Sequence, residues 1–139
     1  MAEAVFLVDI DADNATIVEA LTTQHGIVSW WTTDAEVSGA GLKLGFPEAP
    51  LPFTMRVDEA SADRVVWSSV GDFPPHWVGT TVTWQLMDHP EASGSQLLFT
   101  HGGFPAPDPM LGHTSYTWAL LMGHLKRYAE SGIAKPFFA

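Results

Sequence analysis

The feature that most constrains the fold is a change in hydrophobic period along the chain. Between residues 53 and 101, apolar side chains recur at alternate positions, and turn residues divide the pattern into short runs. A period of two is typical of strands with one buried face. From residue 111 the period becomes 3.6, which places an apolar stripe along one long helix. The order favours an α+β architecture, because a sheet with one apolar face needs a second apolar layer to cover it.

The alternating runs predict the strands of an antiparallel meander. They are Phe53, Met55 and Val57; Val65 and Trp67; Val82, Trp84 and Leu86; and Leu97, Phe99 and His101. Turn residues at 58–63, 71–75 and 88–94 are few enough to join antiparallel neighbours. An opening strand at 4–8 and a hairpin at 36–46 complete a curved sheet of about six or seven strands.

Three helices accompany this sheet. Two short ones are predicted at Asn14–Leu21 and Gln24–Trp31, with aspartates before the first that suit its N-cap. The long C-terminal helix follows a proline-rich turn at 105–109, and Gly132 is a suitable stop. Its apolar stripe consists of Leu111, Trp118, Leu121, Met122, Leu125 and Tyr128.

Length and charge restrict the classes of function. A chain of 139 residues suits one domain spanning 1–139, and its lack of cysteine excludes disulfides and thiolate chemistry. The formal net charge of -10 repels phosphate backbones and anionic lipid surfaces, so we expect neither a nucleic-acid nor a membrane partner. No basic segment follows Met1, and apolar runs such as Trp118–Met122 are too short to span a bilayer. We therefore expect a cytoplasmic protein.

No motif specifies a metal, a cofactor or covalent catalysis. Asp9, Asp11 and Asp13 resemble half of a calcium loop, but its sixth and twelfth positions hold Asn14 and Ala20 where Gly and Glu are needed. Helix capping is the better interpretation. The six histidines lack ligand spacing, and no Gly-x-Ser-x-Gly nucleophile motif occurs. We expect no metal, no cofactor and no assigned catalytic residue.

Aromatic content is the anomaly of the composition, with six Trp and eight Phe against two Tyr. Such side chains fill a core or line a cavity, and both interpretations stay open here. His101 continues the inward parity of Leu97 and Phe99, as a ligand contact or as a hydrogen-bonded residue at the end of a strand. The predicted ligand-binding set is Phe53, Met55, Trp67, Trp84, Phe99, His101, Tyr116, Trp118 and Met122.

Five segments together carry a family resemblance. They are IDADNATIVEALT (10–22), HGIVSWWT (25–32), HWVGTTVTWQL (76–86), SQLLFTHGGF (95–104) and YTWALLMGHLKRYAESG (116–132). In order and spacing the chain resembles the START-like helix-grip (SRPBCC) superfamily, in the branch named after the activator of the heat-shock chaperone ATPase. It departs from that pattern at Thr117, where such proteins often carry Gly.

The resemblance implies a long helix across a bent sheet, with an apolar cavity between them. The leading hypothesis is that the protein binds a hydrophobic small molecule, which includes aromatic ones, and that it catalyses no reaction. One alternative is a cyclase or hydrolase with His101 as general base. Another is a chaperone-cofactor-like interaction domain, which an exposed apolar patch outside the pocket would favour. The resemblance identifies neither the ligand nor the oligomeric state, because one such scaffold carries many functions.

Overall fold

The predicted change from strands to a long helix is present in the structure, a computed structural model that describes residues 1–106 and 109–139. In chain order the elements are β1 (Ala2–Ile10), α1 (Asn14–Thr22), α2 (Gln24–Trp30), β2 (Ala35–Val37), β3 (Gly41–Leu44), β4 (Phe53–Ala60), β5 (Arg64–Val70), a 3₁₀ turn (Pro75–Trp77), β6 (Thr81–Asp88), β7 (Ser95–Phe104) and α3 (Pro109–Ser131). Part of the predicted turn at 105–109 lies outside the described residues.

The strands form one antiparallel sheet in the order β1-β7-β6-β5-β4-β3-β2. Strands β2 to β7 are a meander, and β1 pairs with the last of them. The helices α1 and α2 therefore connect the two edge strands of the sheet. This confirms the predicted α+β fold with its antiparallel sheet, two short helices and long C-terminal helix.

The alternating residues face the interior as their parity predicts. Trp84 on β6 is opposite Phe99 on β7, and Val82 is opposite both Trp67 on β5 and His101 on β7. All five side chains are buried, as are the α3 residues of the apolar stripe from Leu111 to Leu125. The core thus lies between one face of the sheet and the helices.

Local hydrogen bonds define where the helices begin and end. The Asp13 carboxylate accepts a hydrogen bond from the Thr16 backbone N–H at 2.8 Å, so it caps α1 and does not belong to a calcium loop. The α3 helix ends just before Gly132, whose φ of 73° favours glycine and whose N–H donates to the Tyr128 carbonyl at 2.7 Å. At Gly26 a Cβ would lie 2.6 Å from the Ala20 Cα, so α1 and α2 approach closely only because this residue has no side chain.

Several strands differ from their predicted bounds. β4 runs to Ala60, into the turn predicted at 58–63, because its pairing with β5 continues to Ala60 opposite Val65. β1 extends to Ala2–Ile10 because it pairs with β7 along almost its whole length. β3 ends at Leu44 instead of Phe46; the Gly45 N–H still donates to the Asp34 carbonyl at 2.7 Å, and Pro47, which follows Phe46, has no N–H with which to continue the ladder. Among the described residues, no helix is long and apolar enough to cross a membrane.

Candidate functional site

An apolar cleft opens at one end of the interior, beside the first turns of α3. It has a volume of about 480 Å³ and lies between α3, the 3₁₀ turn, and the loop from β3 to β4. Its apolar lining consists mainly of Trp31, Phe46, Phe53, Trp77, Met110, Trp118, Leu121 and Phe138. Its polar groups belong to Glu48, His76, His113, Thr114 and Thr117.

Packed indole rings separate this cleft from the rest of the core. Trp31 stacks on Trp67 with a centroid distance of 5.9 Å and contacts Trp118 at 5.2 Å. Trp118 in turn stacks on Trp77 at 6.0 Å and meets Phe99 at 4.6 Å. All five rings are buried. The space between the sheet and the middle of α3 is therefore filled by side chains, and the cleft is confined to one end.

A chain of three hydrogen bonds holds His101 behind the cleft. The Trp118 indole N–H donates to His101 Nδ1 at 3.0 Å, and His101 Nε2 lies 2.9 Å from the Thr80 hydroxyl. That hydroxyl donates to the Trp77 carbonyl at 2.6 Å. An indole N–H can only donate, so Nδ1 accepts and the proton of the neutral ring is on Nε2. With this tautomer, His101 Nε2 donates to the Thr80 hydroxyl, and that hydroxyl donates to the Trp77 carbonyl.

The same surroundings keep His101 uncharged. Burial in the aromatic interior, helped by repulsion from His76, lowers the pKa of His101 from 6.5 to about 3. Its ring lies 4.7 Å from Trp77 in an edge-on arrangement and 4.8 Å from Phe104. A charged imidazolium here would lose its hydration and could not accept the indole N–H. His101 is thus neutral, and its two ring nitrogens are both engaged.

Three other indole nitrogens have no hydrogen-bond acceptor among the described residues: those of Trp67, Trp77 and Trp84. Each of these rings has edge-to-face aromatic neighbours, such as Trp84 against Phe99 at 4.8 Å and Trp67 against Trp84 at 5.3 Å. Such contacts place the positive edge of one ring against the negative face of another, which partly offsets the missing acceptor. Trp118 differs from them by having a true acceptor.

The structure brings only two of the predicted site residues to the cleft wall, Phe53 and Trp118. Tyr116 is 67% exposed, because two residues along a helix turn it by roughly 200° from Trp118. The other predicted residues are buried in the packed interior away from the cleft lining: Met55, Trp67, Trp84, Phe99, His101 and Met122.

Several residues of the cleft were not predicted as site residues from the sequence. Phe46 and Glu48 come from the loop after β3, His76 and Trp77 from the 3₁₀ turn, and Phe138 from the segment after α3. Phe46 ended the predicted alternating run of β3 but was not assigned to the site, whereas the 3₁₀ turn and the segment after α3 have no repeating period that would assign their side chains to a face. The signal that was present is a concentration of aromatic residues next to proline, as in FPEAPLPF at 46–53.

Among the described residues, no group of three or more His, Asp or Glu could hold a metal ion. No protein-family profile and no curated protein matches the chain.

The Aha1 dimer from Colwellia psychrerythraea, solved in solution, has a TM-score of 0.84 and 27% identity over 95% of this chain and 98% of that one. An AHSA1-like protein from Aeromonas hydrophila has a TM-score of 0.70 and 16% identity over 94% of each chain. DynU16, from the dynemicin biosynthetic locus, has a TM-score of 0.73 and 23% identity over 97% of this chain and 49% of its own. The last two show the fold alone. The chain therefore has the START-like helix-grip fold in its Aha1-like form, which confirms the resemblance seen in the sequence.

Proposed function

We propose that the protein binds a hydrophobic small molecule in the cleft beside α3. The observation that carries the proposal is the cleft itself, about 480 Å³ in volume and lined by aromatic side chains. Ligand sites in proteins commonly have volumes of roughly 300–1,000 Å³, with mostly apolar walls and a few polar groups. This cleft has both properties.

The lining favours a flat aromatic ligand. Trp31, Trp77 and Trp118 contribute rings to the wall, while Phe46 and Phe53 meet edge to face at 4.8 Å. Aromatic pairs add about 0.5–1.5 kcal/mol beyond the area that they bury. Glu48, His76 and His113 supply the polar groups that would orient such a ligand. We infer one polar substituent on an otherwise apolar molecule.

The His101 network supports binding over the enzyme alternative. A general base needs a free lone pair within reach of the substrate proton, but Nδ1 of His101 already accepts from Trp118 and Nε2 contacts Thr80. A pKa near 3 also makes His101 a weak base at neutral pH. Its role in this proposal is to hold Trp118, whose ring lines the cleft, in a fixed orientation.

A neutral fluorescent probe tests the proposal. N-phenyl-1-naphthylamine should bind the parent protein with one-to-one stoichiometry and quench its tryptophan emission. Thr117→Trp places an indole in the cleft and should weaken binding at least tenfold, whereas Tyr116→Ala, on the exposed side of the same helix, should leave the Kd unchanged. Native mass spectrometry of freshly purified protein then identifies any retained ligand. A parent protein without saturable probe binding would refute the proposal.

One observation favours self-association as a second function. Val5 and Leu7 on the edge strand β1 are 50% and 60% exposed, and Leu7 is opposite the half-buried Leu98 of β7. These side chains form an apolar patch on the outer face of the sheet, away from the cleft, and such patches mark interaction sites. The Aha1 structure from Colwellia psychrerythraea is a dimer. A second copy of this chain would cover the patch.

Sedimentation velocity tests the second function. The parent should show a dimer at high protein concentration, and Leu7→Glu should make it monomeric, since a buried unpaired carboxylate is strongly unfavourable. Leu51→Glu is the matched control, because Leu51 is 56% exposed in the loop before β4 and outside the patch. A parent that stays monomeric over the whole concentration range would exclude self-association.

A further inference from the structure

The segment after α3, residues 133–139, returns across the end of α2. Backbone N–H groups of Lys135, Phe137 and Phe138 donate to the carbonyls of Ser29, Trp30 and Trp31, at 2.9, 3.1 and 2.9 Å. The last carbonyls of a helix have no donor within the helix itself. The segment supplies these donors, so it serves as the cap of α2.

Two more hydrogen bonds fix the segment on both sides. The Thr33 N–H donates to the Phe138 carbonyl at 3.1 Å, and His124 Nδ1 of α3 lies 2.8 Å from the Lys135 carbonyl. A carbonyl only accepts, so His124 is the donor. All of these bonds involve the backbone of the segment. These bonds can therefore form whichever side chains stand at positions 137 and 138.

The two phenylalanines of this segment have different surroundings. The Phe137 ring contacts the His124 ring at 5.2 Å and is not part of the cleft lining. The Phe138 ring lines the cleft and meets Phe46 edge to face at 4.9 Å. Phe138 is half-buried, so its ring separates the interior of the cleft from solvent at this wall. Its size fixes how far the cleft extends.

We propose that Phe138 determines the size of ligand that the cleft accepts. This inference rests on the proposed binding function. Phe46, its partner across the wall, is tied to the floor through Trp31 at 6.1 Å, and to the far side through Phe53 at 4.8 Å. Phe138 contributes the part of the wall that comes from the capping segment, and its ring packs on Phe46 and on Phe137 at 4.9 and 4.7 Å. A smaller residue there lengthens the cleft, and a larger one shortens it.

Two neutral probes of different size test this inference. N-phenyl-1-naphthylamine is the smaller and Nile red the larger, and the quantity of interest is the ratio of their Kd values. Phe138→Ala should improve the affinity for Nile red relative to the smaller probe by about tenfold, and Phe138→Trp should reduce it by about tenfold, comparable with the discrimination obtained from small changes in an apolar pocket. Ile133→Ala is the control, because Ile133 lies in the same segment, is 70% exposed and does not line the cleft, and it should leave the ratio unchanged.

The outcomes separate the two proposals. If the parent binds neither probe, the binding function itself is refuted. If the parent binds and the Phe138 variants give the same ratio as Ile133→Ala, the cleft binds ligand but Phe138 does not set its size. Thermal melting of each variant shows whether it is folded, and Phe138→Trp keeps the test valid if Phe138→Ala unfolds.

Discussion

At the scale of single residues, the hydrogen bond between the Trp118 indole and the His101 imidazole distinguishes Trp118 from other buried tryptophans. The indole N–H of Trp118 has an acceptor, whereas those of Trp67 and Trp84 have none among the described residues. The three indoles are all buried in the same aromatic interior. Replacing Trp118 and Trp67 by Phe, one at a time, therefore measures how much one hydrogen bond contributes to stability.

Trp118→Phe should destabilise the protein more than Trp67→Phe does, by about 1–3 kcal/mol. Both changes remove the same atoms from a buried ring, but only the first leaves His101 Nδ1 without its donor. Urea unfolding monitored by far-UV circular dichroism measures the two free energies. Equal losses would show that the hydrogen bond to His101 contributes nothing to stability.

His101 also predicts a dependence of stability on pH. The unfolded chain takes up this proton near pH 6.5, but the folded protein does so only near pH 3. Between these values the unfolded state binds more protons, so stability is full above pH 6.5 and falls as the pH is lowered.

When the pH is lowered from 7 to 5, His101 should reduce the free energy of unfolding by about 2 kcal/mol. His101→Gln does not titrate, so its free energy of unfolding should fall by about 2 kcal/mol less than that of the parent over the same interval. Urea unfolding at both pH values provides the comparison. Parallel losses in the two proteins would mean that His101 is protonated in the folded state at an ordinary pKa.

At the scale of elements, α1 depends on a single side chain for its start. The carboxylate of Asp13 accepts from Thr16, which also holds the pKa of Asp13 below its usual range. The carboxylates of the neighbouring aspartates have other partners, Gln96 for Asp9 and Ser93 for Asp11. The three residues that resemble a calcium loop in the sequence thus act separately.

Asp13→Ala should lower the free energy of unfolding more than the control does, because it removes the N-cap of α1. Asp72→Ala is the control, since Asp72 is exposed in the bend after β5 and removes the same charge. Chemical denaturation of both variants at neutral pH measures the difference. If the two variants are equally stable, the cap at Asp13 has no net effect.

At the scale of the whole molecule, the filled interior and the open cleft lie along one helix. Met122 is buried in the packed part, whereas Thr117 lines the cleft. A core at close-packed density has no room for a larger side chain, but a cleft does.

Met122→Trp should therefore destabilise the fold by about 1–3 kcal/mol through overpacking and leave the Kd for N-phenyl-1-naphthylamine nearly unchanged. Thr117→Trp should have the opposite profile, with binding lost and stability retained. Thermal denaturation and probe titration measure the two quantities for each variant. If Met122→Trp is as stable as the parent but no longer binds the probe, the ligand lies under the middle of α3, as the sequence pattern predicted.

The spacing of apolar residues along strands and helices was enough to predict most of the fold. The alternation of Val82, Trp84 and Leu86 correctly gave the buried face of β6, and the stripe through Trp118 and Leu125 gave the buried face of α3. Each pattern reports which side of an element avoids water, and neighbouring residues alone decide that. The site was harder to predict because Trp77 and Phe138 come from segments without a period, and because Phe46 lies beyond the end of β3.

The sequence by itself determined the strand and helix order, the inward faces and the aromatic character of the interior, because these follow from side-chain spacing and local capping. Only the tertiary structure decided that the indoles close the space under the middle of α3, that the cleft opens at its first turns, and that Phe138 forms part of its wall. Those features depend on contacts between residues far apart in the chain, such as Trp31 with Trp118 and Phe46 with Phe138. Side-chain period specifies a direction for each residue, but whether facing residues meet or leave a gap depends on the distance between elements, which the packing of the whole molecule sets.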